Sequence, residues 1–319
     1  MITTNHLKKM TKKVIIHDTK GIALTRQTKI DQHNLPFTLN TTIGCLFECQ
    51  YCYLQRFPFS QHSDFGKEVK IKVWIADQLD KELEKYSDLP SHLKRVQVNV
   101  ASEGYLPQAI NFMKKEYDRD IMKEVLTVFR KHWDAENRWM VHLITKSHLV
   151  ESHLDLIADM NDQVQLELTI TTIDENKARL LETLAPSVKK RLDVIESFAK
   201  KDVFVRVMCM PLIGDRAEAE RIKQTCFDIG ARGFKHKGVN YFDENDLLAG
   251  TITSKSSRKD EVFSDIIVKS GEPFLENGKQ KTGIFSIPDK KWKVFTDRIR
   301  IYEDNGYADI NSYDWGYAI

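Results

Sequence analysis

Nowhere in this chain do apolar residues run unbroken to the length of about 18 that a membrane-spanning helix needs, so no such helix and no membrane partner is expected. The opening residues, MITTNHLKKMTKK, lack the apolar stretch of a secretory signal. Cysteine is scarce, with five in 319 residues and no even spacing of a disulfide framework, which points to a reducing, cytoplasmic setting. Charge of one sign is not in excess either. The formal net charge of +2 excludes a uniformly basic nucleic-acid coat and leaves room for a local basic groove. Low-complexity tracts are absent. What is present is 41% hydrophobic residues, enough for a core, in a length that suits one large α/β domain or two smaller ones.

Three of the five cysteines crowd into IGCLFECQYCYLQRF, Ile43 to Phe57: Cys45, Cys49 and Cys52, spaced C-x3-C-x2-C. Thiolates this close converge on one point when they share a metal or a cluster. Ferredoxin-type runs hold a [4Fe–4S] cluster through four thiolates, but the next cysteines here are Cys209 and Cys226. Three ligands on a cube of four irons leave one iron open to a small molecule. Two plainer readings stay open. A structural zinc can be completed by a distant fourth ligand, although such sites usually come as paired CxxC units. Three unconnected buried thiols are the other.

Around this loop the chain alternates strand-like and helix-like stretches. Pro36 to Thr42 is rich in β-formers and runs straight into the cysteine loop. Arg95 to Ala101, Trp139 to Thr145, Val164 to Thr172, Val203 to Met210 and Gly233 to Val239 read as five more strands, and Val69 to Trp74 as a short one. Helices are expected over Ile75 to Tyr86, Asp120 to His132, His148 to Met160, Asp174 to Leu184, Val188 to Lys200 and Ala217 to Ile229, with Gly230 capping the last. SEGYLP, Ser102 to Pro107, reads as a loop. Alternation of this kind implies a parallel sheet covered by helices, with right-handed crossovers.

The cysteine spacing, with Tyr51 just before the last cysteine, resembles the signature of the radical S-adenosylmethionine (SAM) superfamily. The resemblance implies a [4Fe–4S] cluster on Cys45, Cys49 and Cys52, its open iron chelated by the amino and carboxylate groups of SAM. The reduced cluster then passes an electron to the sulfonium, and a 5′-deoxyadenosyl radical abstracts a hydrogen from substrate. Tyr51 would lie near the adenine. The implied fold is α/β, a partial (β/α)6 TIM-like barrel over residues 35–240, flanked by an N-terminal extension (1–34) and a C-terminal appendage (241–319). The extension, with Lys8, Lys9, Lys12 and Lys13, reads as a solvated arm. The appendage is expected to pack on the barrel or over its mouth, with a charged helix over Lys291 to Asn305.

In such barrels the site gathers at the C-terminal ends of the strands. Ser102 and Glu103, after the second strand, would accept from the SAM ammonium. Lys146, after the third, would pair with its carboxylate. Thr169 and Thr171 share a face of the fourth strand by period two and would bond the ribose. On the fifth, Met208 shares a face with Arg206 and Met210 and would lie against adenine, with Pro211 ending the strand. Each also has an ordinary role: Ser102 as a turn cap, Lys146 as a solvated strand end, the threonines as common strand residues.

Several stretches resemble spore photoproduct lyase and its relatives: GCLFECQYCYL with Tyr51 and Tyr53, HLITKSHLV, LTITTIDENKARLLETLAPSVKKRLDVI with Arg191, and VMCMPLIG, together covering about Leu35 to Gly238. That family splits a methylene-bridged thymine dimer in DNA, and a cysteine at the end of its second strand returns the hydrogen. Here the corresponding VNVASEG has no cysteine, so dimer splitting is not carried over. Cys209 falls opposite Arg206 and Met208 and is expected to be buried. Tyr53 is the candidate catalytic relay. The reading is a radical SAM enzyme acting on a nucleic-acid base or nucleotide, with Lys235, His236 and Lys237 after the sixth strand as cations, and a reductant protein such as flavodoxin or ferredoxin as electron source. The alternatives are modification of a peptide or small metabolite, or a non-enzymatic iron–sulfur or zinc protein that binds a partner. Cys209 and Cys226 are too few for the auxiliary clusters common in peptide-modifying relatives.

Overall fold

The computed structural model describes residues 12–27, 36–49, 51–52, 54, 66–90, 93–212, 216–236, 275–276, 279–280 and 283–286. Part of the segment expected to be a solvated arm is ordered into strands. β1 (Lys13–His17) packs Val14 and Ile16 against the core, and β2 (Thr25–Arg26) lies antiparallel to β3 (Phe37–Leu39). A small sheet sets β1 parallel to β5 (Glu68–Lys72), with β4 (Thr42–Ile43) antiparallel on the other edge. The strand expected to reach Trp74 stops at Lys72, and Trp74 instead caps α1 (Ile75–Lys85).

The barrel is built from six parallel strands, hydrogen-bonded in the order β3, β6 (Arg95–Val98), β7 (Met140–Thr145), β8 (Val164–Thr169), β9 (Val205–Cys209) and β10 (Gly233–His236). Each lies within one of the six stretches expected from the sequence. β3 and β10 do not pair with each other, so the barrel is open. Lys235 and His236, expected after the sixth strand, belong to it; Lys237 and the helix expected over Lys291 to Asn305 lie outside the described residues. From the appendage, β11 (Leu275–Glu276) pairs antiparallel with β12 (Lys279–Gln280), and β13 (Gly283–Ser286) pairs antiparallel with β10.

Alternation sorts the strand residues onto two faces. Val96, Val98, Val141, Leu143, Leu166, Leu168, Val205 and Val207 are fully buried in one continuous core with the helices. The opposite, lumen face carries Arg95, Gln97, His142, Gln165, Glu167 and Arg206, brought level by the registers Gln97↔His142, His142↔Gln165 and Glu167↔Arg206. Glu167 pairs with Arg206, accepts from Gln165 Nε2 at 2.8 Å and meets His142 Nδ1 at 3.4 Å. Burial pushes the Glu167 carboxyl upward, but the charges and hydrogen bonds of Arg206 and His142 together outweigh it and hold the pKa at about 2. Burial likewise holds the His142 imidazole down at about 4.

Local chemistry sets the helix ends. Asp120, Asp174 and Ser187 accept from backbone N–H groups of the first turns of α3 (Ile121–Asp134), α5 (Glu175–Leu181) and α6 (Val188–Lys200). α7 (Arg216–Asp228) is followed by Gly230 at φ +102°, the left-handed position a helix C-terminus favours. Two stretches depart from expectation. His148 to Met160 is not one helix but a 3-10 turn, His148–His153, and a short α4 (Leu154–Asp159). Val150 and His153, buried three residues apart, match the period of a 3-10 turn. α2 (Pro107–Tyr117) was not expected; it begins at Pro107, the residue that ends the apparent loop, and proline suits the first helical position. Among the described residues no helix is long and apolar enough to cross a membrane.

Candidate functional site

Leaving β3, the chain forms β4 and enters the cysteine loop. Gly44 sits at φ +85°, and a Cβ added there would lie 2.8 Å from the Glu68 carbonyl oxygen, so glycine lets the loop pass β5. Gly44 also bridges Ser102 at the C-terminal end of β6. Further on, Cys49 bridges Glu182, and Leu184 N donates to Phe47 O at 3.1 Å. The loop is thus tied at one end to β6 and at the other to the segment joining α5 and α6. Leu46 and Phe47 are buried beneath it.

Cys49 is buried and Cys45 and Cys52 are half-buried, and none of the three is in a disulfide. Burial raises the pKa of each. For Cys45 the charges of Cys49 and Cys52 add to it, and Cys52 is pushed up to about 12 by burial and by Cys49. The three sulfurs therefore feel one another. Among the described residues no three His, Cys, Asp or Glu side chains close around a single metal ion. Sulfurs that each take a different iron stand further apart than ligands of one ion, and an all-thiol donor set suits a [4Fe–4S] cluster.

Beside Cys49 lies a knot of charge centred on Glu182. Its side chain is 1% exposed, and its carboxylate accepts from Lys146 Nζ at 2.6 Å, from Thr171 Oγ1 at 2.6 Å, from Tyr51 Oη and from the Arg191 guanidinium. Lys146 also reaches Tyr51 Oη and lies 4.9 Å from the centroid of its ring. Burial works to raise the Glu182 carboxyl, but Arg191 and then Lys146 hold it well below the usual range. Burial and the Glu182 charge push the Tyr51 phenol upward. No motif marks Glu182 in the sequence; the available signal was an acid placed between the fourth strand and Arg191.

A second group surrounds the end of β6. Ser102 Oγ lies 3.3 Å from both Asn40 Oδ1 and Asn99 Oδ1, and Asn99, at φ +63°, also accepts from Thr41 Oγ1 at 2.9 Å. The buried Glu103 carboxylate accepts from Thr145 Oγ1 at 2.7 Å, Lys146 N at 2.9 Å and Tyr105 N at 2.9 Å. Burial raises its pKa against these bonds. Glu103 therefore links the two groups, through the backbone of Lys146. Thr169 pairs in register with Met208, its carbonyl accepts from Arg191 at 3.1 Å, and Met208 is buried. Thr171 lies past the end of β8 and is buried, while Pro211 follows β9 and is half-buried. Tyr53 lies outside the described residues. Cys209 is fully buried, its sulfur 3.9 Å from the Thr171 carbonyl.

An open barrel of parallel strands, with a three-thiol loop after its first strand and cations and hydroxyls at the strand ends, defines a barrel enzyme of the iron–sulfur class. The Radical SAM superfamily model matches residues 39–226, and the chain belongs to that superfamily. It is 26% identical over 193 residues to an uncharacterized protein, ORF301, of Acidianus two-tailed virus, a match covering 59% of this chain and 60% of the relative. It is 24% identical over 188 residues to the uncharacterized protein MJ0683 of Methanocaldococcus jannaschii, covering 58% of this chain and 64% of the relative. The chain spans about three fifths of the length of these curated relatives. In fold it is similar to spore photoproduct lyase. A double mutant of that enzyme with bound AdoMet and dinucleoside spore photoproduct gives a TM-score of 0.52 at 13% identity, covering 92% of this chain and 80% of that one. A cysteine-to-serine mutant gives 0.51 at 15% identity, with the same coverage.

Membership makes the protein an enzyme whose cofactors are a [4Fe–4S] cluster and SAM. The zinc and non-enzymatic alternatives fall away with it.

Proposed function

We propose that Cys45, Cys49 and Cys52 hold the cluster, that SAM lies across the C-terminal ends of β6 to β9, and that the hydrogen removed belongs to a nucleic-acid base or nucleotide. When bound, the cluster and SAM supply one-electron cleavage of a sulfonium bond and abstraction of a hydrogen atom. The protein's part is to bind and orient. Lys146, whose ammonium meets Glu182, Tyr51 and Cys49, would draw the SAM carboxylate by its charge. A carboxylate has about four acceptor positions; Glu103 has three engaged and keeps one for the SAM ammonium, beside the Ser102 hydroxyl. Thr169, Thr171 and Met208 line the ribose and adenine side, with Tyr51 and Pro211 at its margins. Tyr53 remains the proposed relay. Cys209, fully buried, is not a hydrogen donor in this scheme.

The observation that carries the reading is the loop itself: three cysteines outside any disulfide, fastened between the end of β6 and the Glu182 knot. For the substrate, the support is the likeness in fold to a lyase whose structure contains a dinucleoside. The test is anaerobic reconstitution, reduction by flavodoxin, ferredoxin or a chemical reductant, and assay of 5′-deoxyadenosine with DNA, RNA, nucleotides and peptides in turn. Stimulation by nucleic acid or nucleotide is the expected result. Indifference to all of them, with stimulation by a peptide, would refute the substrate assignment.

A further inference from the structure

Glu182 contributes more than a buried ion pair needs. One carboxylate meets the Lys146 ammonium, the Arg191 guanidinium, the Tyr51 phenol and the Thr171 hydroxyl, while its own backbone bridges Cys49. Buried ionic groups are poor devices for stability, because their desolvation offsets their attraction. This one lies against the cysteine loop. It also fixes the local charge. Lys146 and Arg191 each bring +1 and Glu182 brings −1, so the knot carries +1 beside Cys49 instead of +2.

We propose that Glu182 is a positioning residue of the radical SAM reaction: it holds Lys146 and Tyr51 in place at the cysteine loop and sets the charge that the cluster experiences through Cys49. The proposal rests on Cys45, Cys49 and Cys52 being the cluster ligands. Reducing the cluster adds negative charge. A neighbouring anion therefore opposes reduction and a neighbouring cation favours it, more strongly in a dry interior than in water.

Three full-length variants separate this role from a merely structural one. Glu182→Gln keeps the shape and raises the local charge by one. Lys146→Met lowers it by one. The double variant returns it to the wild-type value. Each is reconstituted anaerobically, its iron counted, and its cluster titrated against redox dyes with electron paramagnetic resonance as the readout. At a fixed poise, the ratio of reduced to oxidised cluster should rise on the order of tenfold in Glu182→Gln, which is about 59 mV for one electron. It should fall by a similar factor in Lys146→Met and return near wild type in the double variant. An unchanged ratio across variants that each hold four irons overturns the proposal. Should Glu182→Gln not fold, Lys146→Met decides: a lowered ratio supports the charge balance and an unchanged ratio overturns it. Failure of the wild-type chain to bind four irons overturns the ligand assignment, and this proposal with it.

Discussion

The barrel lumen offers a quantitative test of how much one internal charge contributes. Glu167 is fully buried, and Arg206, its ion-pair partner, is 14% exposed at the side chain, so solvent screens the pair little. The carboxyl is held at about 2 against an ordinary 4.5. At about 1.4 kcal/mol per unit, that difference amounts to about 3 kcal/mol of folding free energy at neutral pH. Breaking a buried pair by removing one partner costs about 3–5 kcal/mol by a separate line of experience. The two figures agree in scale, so Glu167→Gln should cost about 3 kcal/mol in urea denaturation at neutral pH. The sign with pH follows from the depressed value. The contribution is complete above 4.5, the unfolded value, and disappears as pH falls toward 2. His142 acts earlier, because its imidazole is held at about 4 against 6.5, so the unfolded chain takes up that proton first and stability declines as pH falls from 6.5 to 4. Wild type should lose stability through both windows, and Glu167→Gln should have a flatter limb in the lower one. The assay is denaturant unfolding followed by circular dichroism across this pH range. A variant within about 1 kcal/mol of wild type at neutral pH, too small for a broken buried pair, would refute the reasoning. So would a lower limb as steep as that of wild type.

Other substitutions probe the loop and its supports. Gly104→Val places a Cβ 2.4 Å from Asn99 Nδ2 and 2.5 Å from Met122 Sδ. It should destabilise by about 1–3 kcal/mol and, by displacing Asn99 from Ser102, weaken SAM binding in a calorimetric titration. Gly44→Ala combines a left-handed backbone with a close approach to a carbonyl; it should cost about 1–3 kcal/mol and lower the iron recovered per chain. Cys49→Ala should abolish 5′-deoxyadenosine formation, and a normal rate in that variant would remove the cluster assignment. Asp174→Ala deletes a helix cap and should lower stability by about 1 kcal/mol, visible in thermal melts without loss of iron.

The strands of the barrel were legible because each is a β-rich run set between helix-like stretches, and α6 was legible to the residue because Ser187 caps an amphipathic run. α2 was not, since its charged C-terminal half and a leading proline resemble a loop, and the proline signals a helix only once its position is known. The cysteine loop announced itself through close spacing. Glu182 did not, because its partners Tyr51, Lys146, Thr171 and Arg191 are dispersed along the chain and meet only when the strand ends converge. The lumen charges were hidden in the same way: Arg95 and Gln97 in RVQV look like the solvent face of a half-exposed strand, and only their burial in the folded chain shows that this face is interior.

A sheet that stops short of closing has two rims, each a row of amide and carbonyl groups ready to pair with any neighbouring chain. Here β2 lies along one rim and β13 along the other, both running against the strand they cover. The stretch around Gly283–Ser286 thereby acts as a selvedge for β10. A protein trimmed just after the sixth barrel strand would keep every cysteine of the loop and yet expose a bare rim, so it should self-associate through that edge while the full chain stays dispersed.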